Sequence, residues 1–296
     1  MNLGNNKDQK EPTQEVIKLI LELFNSNKFD DAKKEIYNQM IKYSNSSILF
    51  NILGAVLSGQ DQSEKAIENY KKSIKINPNY AQAYNNMGTT LHKLKKVNEA
   101  IDCYKKALSL KKDFAEAFNN MGNATRELNK PQSALEYFEK AIHIKSDFSE
   151  AYLSLGTAME DLGNKKEALK NYQRAIKIKP NYAQAYNSLG LIFADLANFD
   201  EAISSYNKAI ELEPSKASYH LNLGTLLATL KKLEQAERSI RKSISIVPQN
   251  IMVFDMSSNP EQLVNSIVGL NNYYVLGIGN IVDWGEKFIN KLKEYT

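Results

Sequence analysis

The chain of 296 residues has a single cysteine, Cys103, so it can close no internal disulfide and lacks the second thiolate that structural zinc needs. Its three histidines, His92, His143 and His220, lie far apart and form no ligand cluster. Long apolar runs are also missing. The most weakly polar stretch, Asn265 to Trp284, is broken by Asn271, Asn272 and Asn280, short of the roughly 20 apolar residues that a membrane span requires. The first twelve residues, MNLGNNKDQKEP, carry charges and no apolar segment; no secretory signal is read there, and a cytoplasmic location is the expectation. Charge of either sign is nearly balanced: 38 basic against 34 acidic side chains leave +4, far below the surplus of a dedicated nucleic-acid binder. No P-loop and no Gly-x-Ser-x-Gly turn occurs. These absences predict a chain without catalytic machinery, metal or cofactor.

What the chain does contain is repetition. AQAYNNMGTTLHKL from Ala81, AEAFNNMGNATREL from Ala115, SEAYLSLGTAMEDL from Ser149 and AQAYNSLGLIFADL from Ala183 start 34 residues apart. Extending that register gives seven units, at 13–46, 47–80, 81–114, 115–148, 149–182, 183–216 and 217–250. Residues 1–12 then read as a flexible leader and 251–296 as a capping or tail segment. In the first half of each unit, apolar residues recur at positions 4, 7, 8 and 11, as in Tyr84, Met87, Gly88 and Leu91, the stripe of an amphipathic helix. The second half repeats the pattern through Ala100, Tyr104, Ala107 and Leu108, and Pro78, Pro180, Pro214 and Pro248 follow as stop signals. Position 8 is Gly54, Gly88, Gly122, Gly156, Gly190 and Gly224. Glycine inside a helix costs roughly 0.5–1 kcal/mol against alanine, so the column predicts a close approach of two backbones. Alanine fills position 20 in every unit, from Ala32 to Ala236.

This pattern resembles the tetratricopeptide repeat family. Unit five carries its whole signature in Tyr152, Leu155, Gly156, Met159, Ala168, Tyr172, Ala175 and Pro180. The resemblance implies an all-α fold, a right-handed α-solenoid superhelix of seven 34-residue helix-turn-helix repeats, here with a small C-terminal α/β tail or cap. In the tail, Asn259 and Pro260 read as a helix start, NNYYVLGIGN as a strand and VDWGEKFINKLKEY as a closing helix. The tail is open to three readings: a cap, a docking element or the remnant of a lost domain.

The resemblance further implies that first helices line a concave groove, through positions 2, 5, 6, 9, 12 and 13, where a protein or peptide ligand binds. Asn51, Asn85, Asn119 and Asn187 stand at position 5, and Asn86, Asn120, Ser154, Ser188 and Asn222 at position 6. With Asn123 and Arg126 they form the candidate groove, whose amides can bond the main chain of an extended ligand without selecting side chains. The same run is similar to the repeat half of the O-linked N-acetylglucosamine transferases, whose groove carries an asparagine ladder. The family's dicarboxylate clamp is absent: no unit has Lys or Arg at position 5, which argues against a chaperone C-terminus as ligand. Charges at the helix ends run from basic His92, Lys93 and Arg126 to acidic Glu160, Asp161 and Asp195, and would suit a ligand of opposite polarity. Position 26 is basic in six units: Lys72, Lys106, Lys140, Arg174, Lys208 and Lys242. Glu68, Asp102 and Glu136 stand four residues earlier, predicting neutralising i, i+4 pairs and arguing against nucleic acid. The sum is a non-catalytic interaction scaffold; the alternative is a recognition arm for a transferase whose catalytic part is separate or missing.

Overall fold

A computed structural model describes residues 11–246, 251–255 and 274–278. Pro248, the end of the seventh unit, the helix start at Asn259–Pro260 and the closing helix read in the tail lie outside these residues. The chain divides into two compact units, Met1–Ile178 and Lys179–Thr296. The first holds α1 Gln14–Asn25, α2 Phe29–Lys42, α3 Ser47–Gly59, α4 Ser63–Ile76, α5 Ala81–Lys93, α6 Val97–Leu110, α7 Ala115–Glu127, α8 Pro131–Ile144, α9 Ser149–Asp161 and α10 Lys165–Ile178. The second holds α11 Ala183–Asp195, α12 Phe199–Leu212, α13 Ala217–Thr229, α14 Leu233–Ile246 and the strands β1 Ile251–Asp255 and β2 Tyr274–Ile278. These strands pair in parallel, Ile251 opposite Tyr274 and Asp255 opposite Ile278. β2 lies inside the stretch expected to be a strand, and β1 is a further strand in the segment that the sequence leaves as tail.

The helices follow the 34-residue register, and the turn inside each hairpin is one geometry repeated. Among the described residues, Asn27, Asp61, Lys95, Asn129, Gly163, Ala197 and Lys231 have positive φ, and every one is position 15 of its unit. A left-handed residue after a helix lets the next amides reach back to the last carbonyls. Lys95 N–H donates to the His92 carbonyl at 2.9 Å and Lys96 N–H to the Leu91 carbonyl at 3.0 Å, and the other turns repeat such bonds. Second helices end at position 30 in units with a later proline and in those with Lys112 or Ser146 in its place. Proline therefore reinforces this helix end and is not its cause.

The small residues create the core. Ala32, Ala66, Ala100, Ala134, Ala168 and Ala202 are fully buried, as are the rings of Tyr104, Phe138 and Tyr172 at position 24. The expectation for the glycine column needs correcting. A Cβ on Gly88 would stand 2.6 Å from the Tyr104 ring, one on Gly122 2.5 Å from the Phe138 ring and one on Gly190 2.5 Å from the Tyr206 ring. An aromatic edge from the partner helix of the same hairpin, not a second backbone, fills that space. The leader also differs from expectation at its end. Pro12 is buried, and the Glu11 carboxylate accepts from Ser47 N–H at 2.9 Å and Ser47 Oγ at 2.7 Å, as well as from the Ser46 hydroxyl, capping α3.

Candidate partner-binding face

In the first compact unit, α1, α3 and α5 present one side to an open cavity of about 570 Å³. Its walls are the apolar Ile17, Leu21, Phe24, Ile52 and Ala55 together with Asn51, Gln82, Asn86 and Thr89. Except for Tyr70, Tyr80 and Thr90, the lining residues occupy unit positions 2, 5, 6, 9, 12 and 13. The amphipathic period explains this: the buried stripe at positions 4, 7, 8 and 11 leaves these positions on the other side of each first helix. Leu21 is 40% exposed in the cavity wall. Sequence reasoning named the asparagines here and passed over Leu21, Phe24 and Ala55; their signal was an apolar residue on a face that is polar in later units.

The asparagines form a ladder, but much of it is spent between units. Asn86 Nδ2 donates to Asn51 Oδ1 at 3.1 Å, Asn120 Nδ2 to Asn85 Oδ1 at 3.0 Å and, within the second compact unit, Asn222 Nδ2 to Asn187 Oδ1 at 2.8 Å. The rule is that position 6 donates to position 5 of the preceding unit. Asn51, Asn85 and Asn119 are buried, the last without such a donor, whereas Asn86, Asn120, Asn123, Ser154, Asn187, Ser188 and Asn222 stay half-buried. Gln82 Nε2 in turn donates to Asn86 Oδ1 at 2.9 Å, fixing the Asn86 amide with its NH₂ toward Asn51. The groove asparagines are thus a pre-oriented lattice in which position 5 is floor and position 6 is surface.

Charges at the helix ends also pair across units. Glu127 accepts from Lys95 at 3.0 Å and meets His92 Nε2 at 2.5 Å; these two partners hold its carboxyl below the usual carboxylate range, Lys95 contributing most. Arg126 Nη1 bonds Asp161 at 3.0 Å, and Lys93 pairs with Asp61. The basic-to-acidic gradient read along the sequence is therefore largely neutralised within the face, which removes the argument for a ligand of opposite polarity.

The basic column at position 26 has a structural role that was missed. Lys72 sits 5.7 Å from the Phe50 ring centre, Lys140 6.0 Å from that of Phe118 and Arg174 5.8 Å from that of Tyr152, each over the position-4 aromatic of its own unit. The expected pairs with Glu68, Asp102 and Glu136 do not form among the described residues; Asp102 instead meets Lys105, one turn away at 3.8 Å. For Lys72 and Lys140 the stacking geometry wins because the ring is a fixed neighbour and the exposed carboxylate is not.

No group of three or more His, Cys, Asp and Glu side chains that could hold a metal ion occurs among the described residues. Cys103 is buried on α6, and burial, with Asp102 and Glu99 adding to it, pushes its thiol up to about 11, away from a reactive thiolate. Burial likewise raises the Tyr70 hydroxyl to about 12, against a hydrogen bond with Thr90. No helix of the described residues is long and apolar enough to cross a membrane.

Comparison with known proteins follows the same register. Family profiles described as tetratricopeptide repeat match residues 81–114 and 183–216, 114–145 and 217–250, and one described as TPR repeat matches 59–95 and 161–197. Together they cover 59–145 and 161–250, more than half of the chain. No curated protein matches. Among solved structures, the chain is similar to one in the APC/C hetero-tetramer Cut9–Hcn1, with a TM-score of 0.72 at 17% identity over 78% of this chain. It spans 46% of that longer chain. A tetratricopeptide repeat protein from Parabacteroides merdae gives a TM-score of 0.61 at 16% identity, over 79% of this chain and 92% of that one. Pseudomonas aeruginosa pilF gives 0.60 at 20% identity, over 73% and 96%. At these identities the likeness concerns the fold.

Proposed function

The chain belongs to the tetratricopeptide repeat family, and from that premise we propose that it is a non-catalytic scaffold that holds an extended segment of a partner protein along its first helices. The observation that carries this reading is the open cavity on α1, α3 and α5. Its wall is apolar on one side, through Ile17, Leu21 and Ile52, and amide-lined on the other, through Gln82 and Asn86. A main chain needs donors and acceptors, and its side chains need apolar surface; this face offers both together. Nucleic acid fits less well, because in the basic column at position 26 Lys72, Lys140 and Arg174 lie over aromatic rings of their own units and Lys208 pairs with Glu211. The neutralised charges leave little to attract phosphate.

The test uses a permanently unfolded polypeptide, fluorescein-labelled reduced and carboxymethylated α-lactalbumin, titrated with the protein and followed by anisotropy. The double variant Leu21→Glu, Asn86→Ala puts a charge on the apolar wall and removes a surface amide. It should bind at least roughly ten-fold more weakly while keeping its helical circular dichroism. Unchanged affinity in the folded variant, or no binding by the wild type, overturns the reading.

A further inference from the structure

The second compact unit carries an open cavity of about 640 Å³ whose lining residues all belong to α11 and α12. None of them holds one of the six groove positions: Tyr186 and Leu189 stand at positions 4 and 7, Asp200 and Ile203 at 18 and 21, Lys208 and Glu211 at 26 and 29. This is a different surface from the partner-binding face, and its chemistry does not depend on what that face holds.

The repeat itself shows what fits beside a position-4 ring. In the second, fourth and fifth units the ring carries the cation of position 26, Lys72 over Phe50, Lys140 over Phe118 and Arg174 over Tyr152. In the sixth unit that cation points elsewhere. Lys208 Nζ donates to Glu211 Oε1 at 2.7 Å, because position 29, which is Lys75, His143 and Lys177 in those three units, is here an acid one turn further along the helix. Among the described residues no Lys or Arg lies over the Tyr186 ring. The ring is held in place by the buried cluster of Ala183, Ala209 and Tyr219 while it lines the cavity. Its face is an electron-rich surface that attracts an ammonium ion. The Lys208 and Glu211 charges cancel, so the cavity keeps one net negative charge, that of Asp200, which makes no ion pair among the described residues.

We infer that this cavity binds a linear polyamine, with one terminal ammonium over the Tyr186 ring, in the place that Lys208 leaves open, and the other at the Asp200 carboxylate. The alkyl chain between them lies on Leu189 and Ile203, the apolar part of the lining. Asp200 and position 26 are eight residues apart on α12, about 12 Å along its axis, so a short diamine cannot reach both ends. A lysine side chain of a partner protein fits less well. It brings one charge and draws a polar main chain across the apolar strip, whereas a polyamine brings two charges on a bare alkyl chain.

The test titrates 1,8-diaminooctane into the full chain by isothermal calorimetry at low salt, where an exposed carboxylate is least screened. Tyr186→Phe keeps the ring and should bind as wild type. Tyr186→Leu leaves every charge in place and should bind roughly five- to ten-fold more weakly with unaltered helical circular dichroism. Octylammonium has the same chain length and a single charge. It should bind the wild type about three-fold more weakly than the diamine, and Asp200→Asn, an exposed change, should erase that difference. A general attraction of cations to this surface would respond to Asp200→Asn but not to Tyr186→Leu. Wild-type affinity in folded Tyr186→Leu, octylammonium bound as tightly as the diamine, or no binding by the wild type overturns the inference. None of these outcomes bears on the α-lactalbumin titration, which reads the other face.

Discussion

Five of the six glycines of position 8 face the ring at position 24 of their own hairpin, and the sixth, Gly224, faces Ile240 there. The ring that Gly122 faces, Phe138, is fully buried and cannot retreat. Gly122→Ala gains roughly 0.5–1 kcal/mol of helix propensity. It also places a methyl 2.5 Å from that ring, and overpacking a filled core costs typically 1–3 kcal/mol. The net expectation is destabilisation of about 1–2 kcal/mol in urea unfolding, relieved when Phe138→Leu is added. If Gly122→Ala alone is neutral, the ring does not dictate the column. The sequence reading recognised that the column demanded a packing reason, since six glycines recur in register. It assigned the wrong neighbour, because periodicity reveals which side of a helix is crowded and says nothing of what crowds it.

At the scale of the element, the least legible feature was the hairpin turn. Position 15 reads Asn27, Asp61, Lys95, Asn129, Gly163, Ala197 and Lys231; four are Asn, Asp or Gly, which tolerate a left-handed backbone, yet Lys95, Ala197 and Lys231 adopt it as well. At these three the tertiary demand, a tight reversal that lets α11 pack against α12 and its counterparts likewise, overrides the local preference. Such a residue with a Cβ is strained by roughly 1–2 kcal/mol. Ala197 is exposed with φ 58°, so replacing it loses no packing. Ala197→Gly should therefore stabilise the protein by about 0.5–1 kcal/mol, after the larger unfolded-state entropy of glycine is allowed for. The same change in mid-helix, at Ala202, which is fully buried, should destabilise. Comparing the two variants in one denaturant series separates turn geometry from a general effect of glycine. The helices themselves were legible because each must bury a stripe against its neighbours. The buried position-5 asparagines were not, since their fate depends on residues 35 positions away.

At the scale of the whole molecule, stability in a stacked array is a sum of hairpin and neighbour contributions, so protection from opening should vary along the chain. Within Met1–Ile178, the pair α5 and α6 lies between α4 and α7, whereas α1 and α2 pack on through α2 against α3. The first pair also leaves apolar surface uncovered: Leu19 is 48%, Tyr37 51% and Ile41 86% exposed. Tyr37 and Ile41 hold positions 25 and 29, which are polar in the next units, as at Lys71, Lys105, Lys75 and Ser109. The Asn86–Asn51 and Asn120–Asn85 bonds, by contrast, tie the third unit to both neighbours. Amide hydrogen exchange in native buffer should accordingly be at least roughly ten-fold slower in α5–α8 than in α1 and α2, a difference of about 1.4 kcal/mol in opening free energy. Asn120→Ala should speed exchange in α5 and α7 together and leave α1 unaffected, because the bond it removes joins only those two helices. Uniform protection along residues 11–178 would mean that the array opens as one cooperative block and that the amide ladder adds nothing local. A gradient sensitive to Asn120 would instead place both the stability of the middle units and the binding face in the same row of side chains.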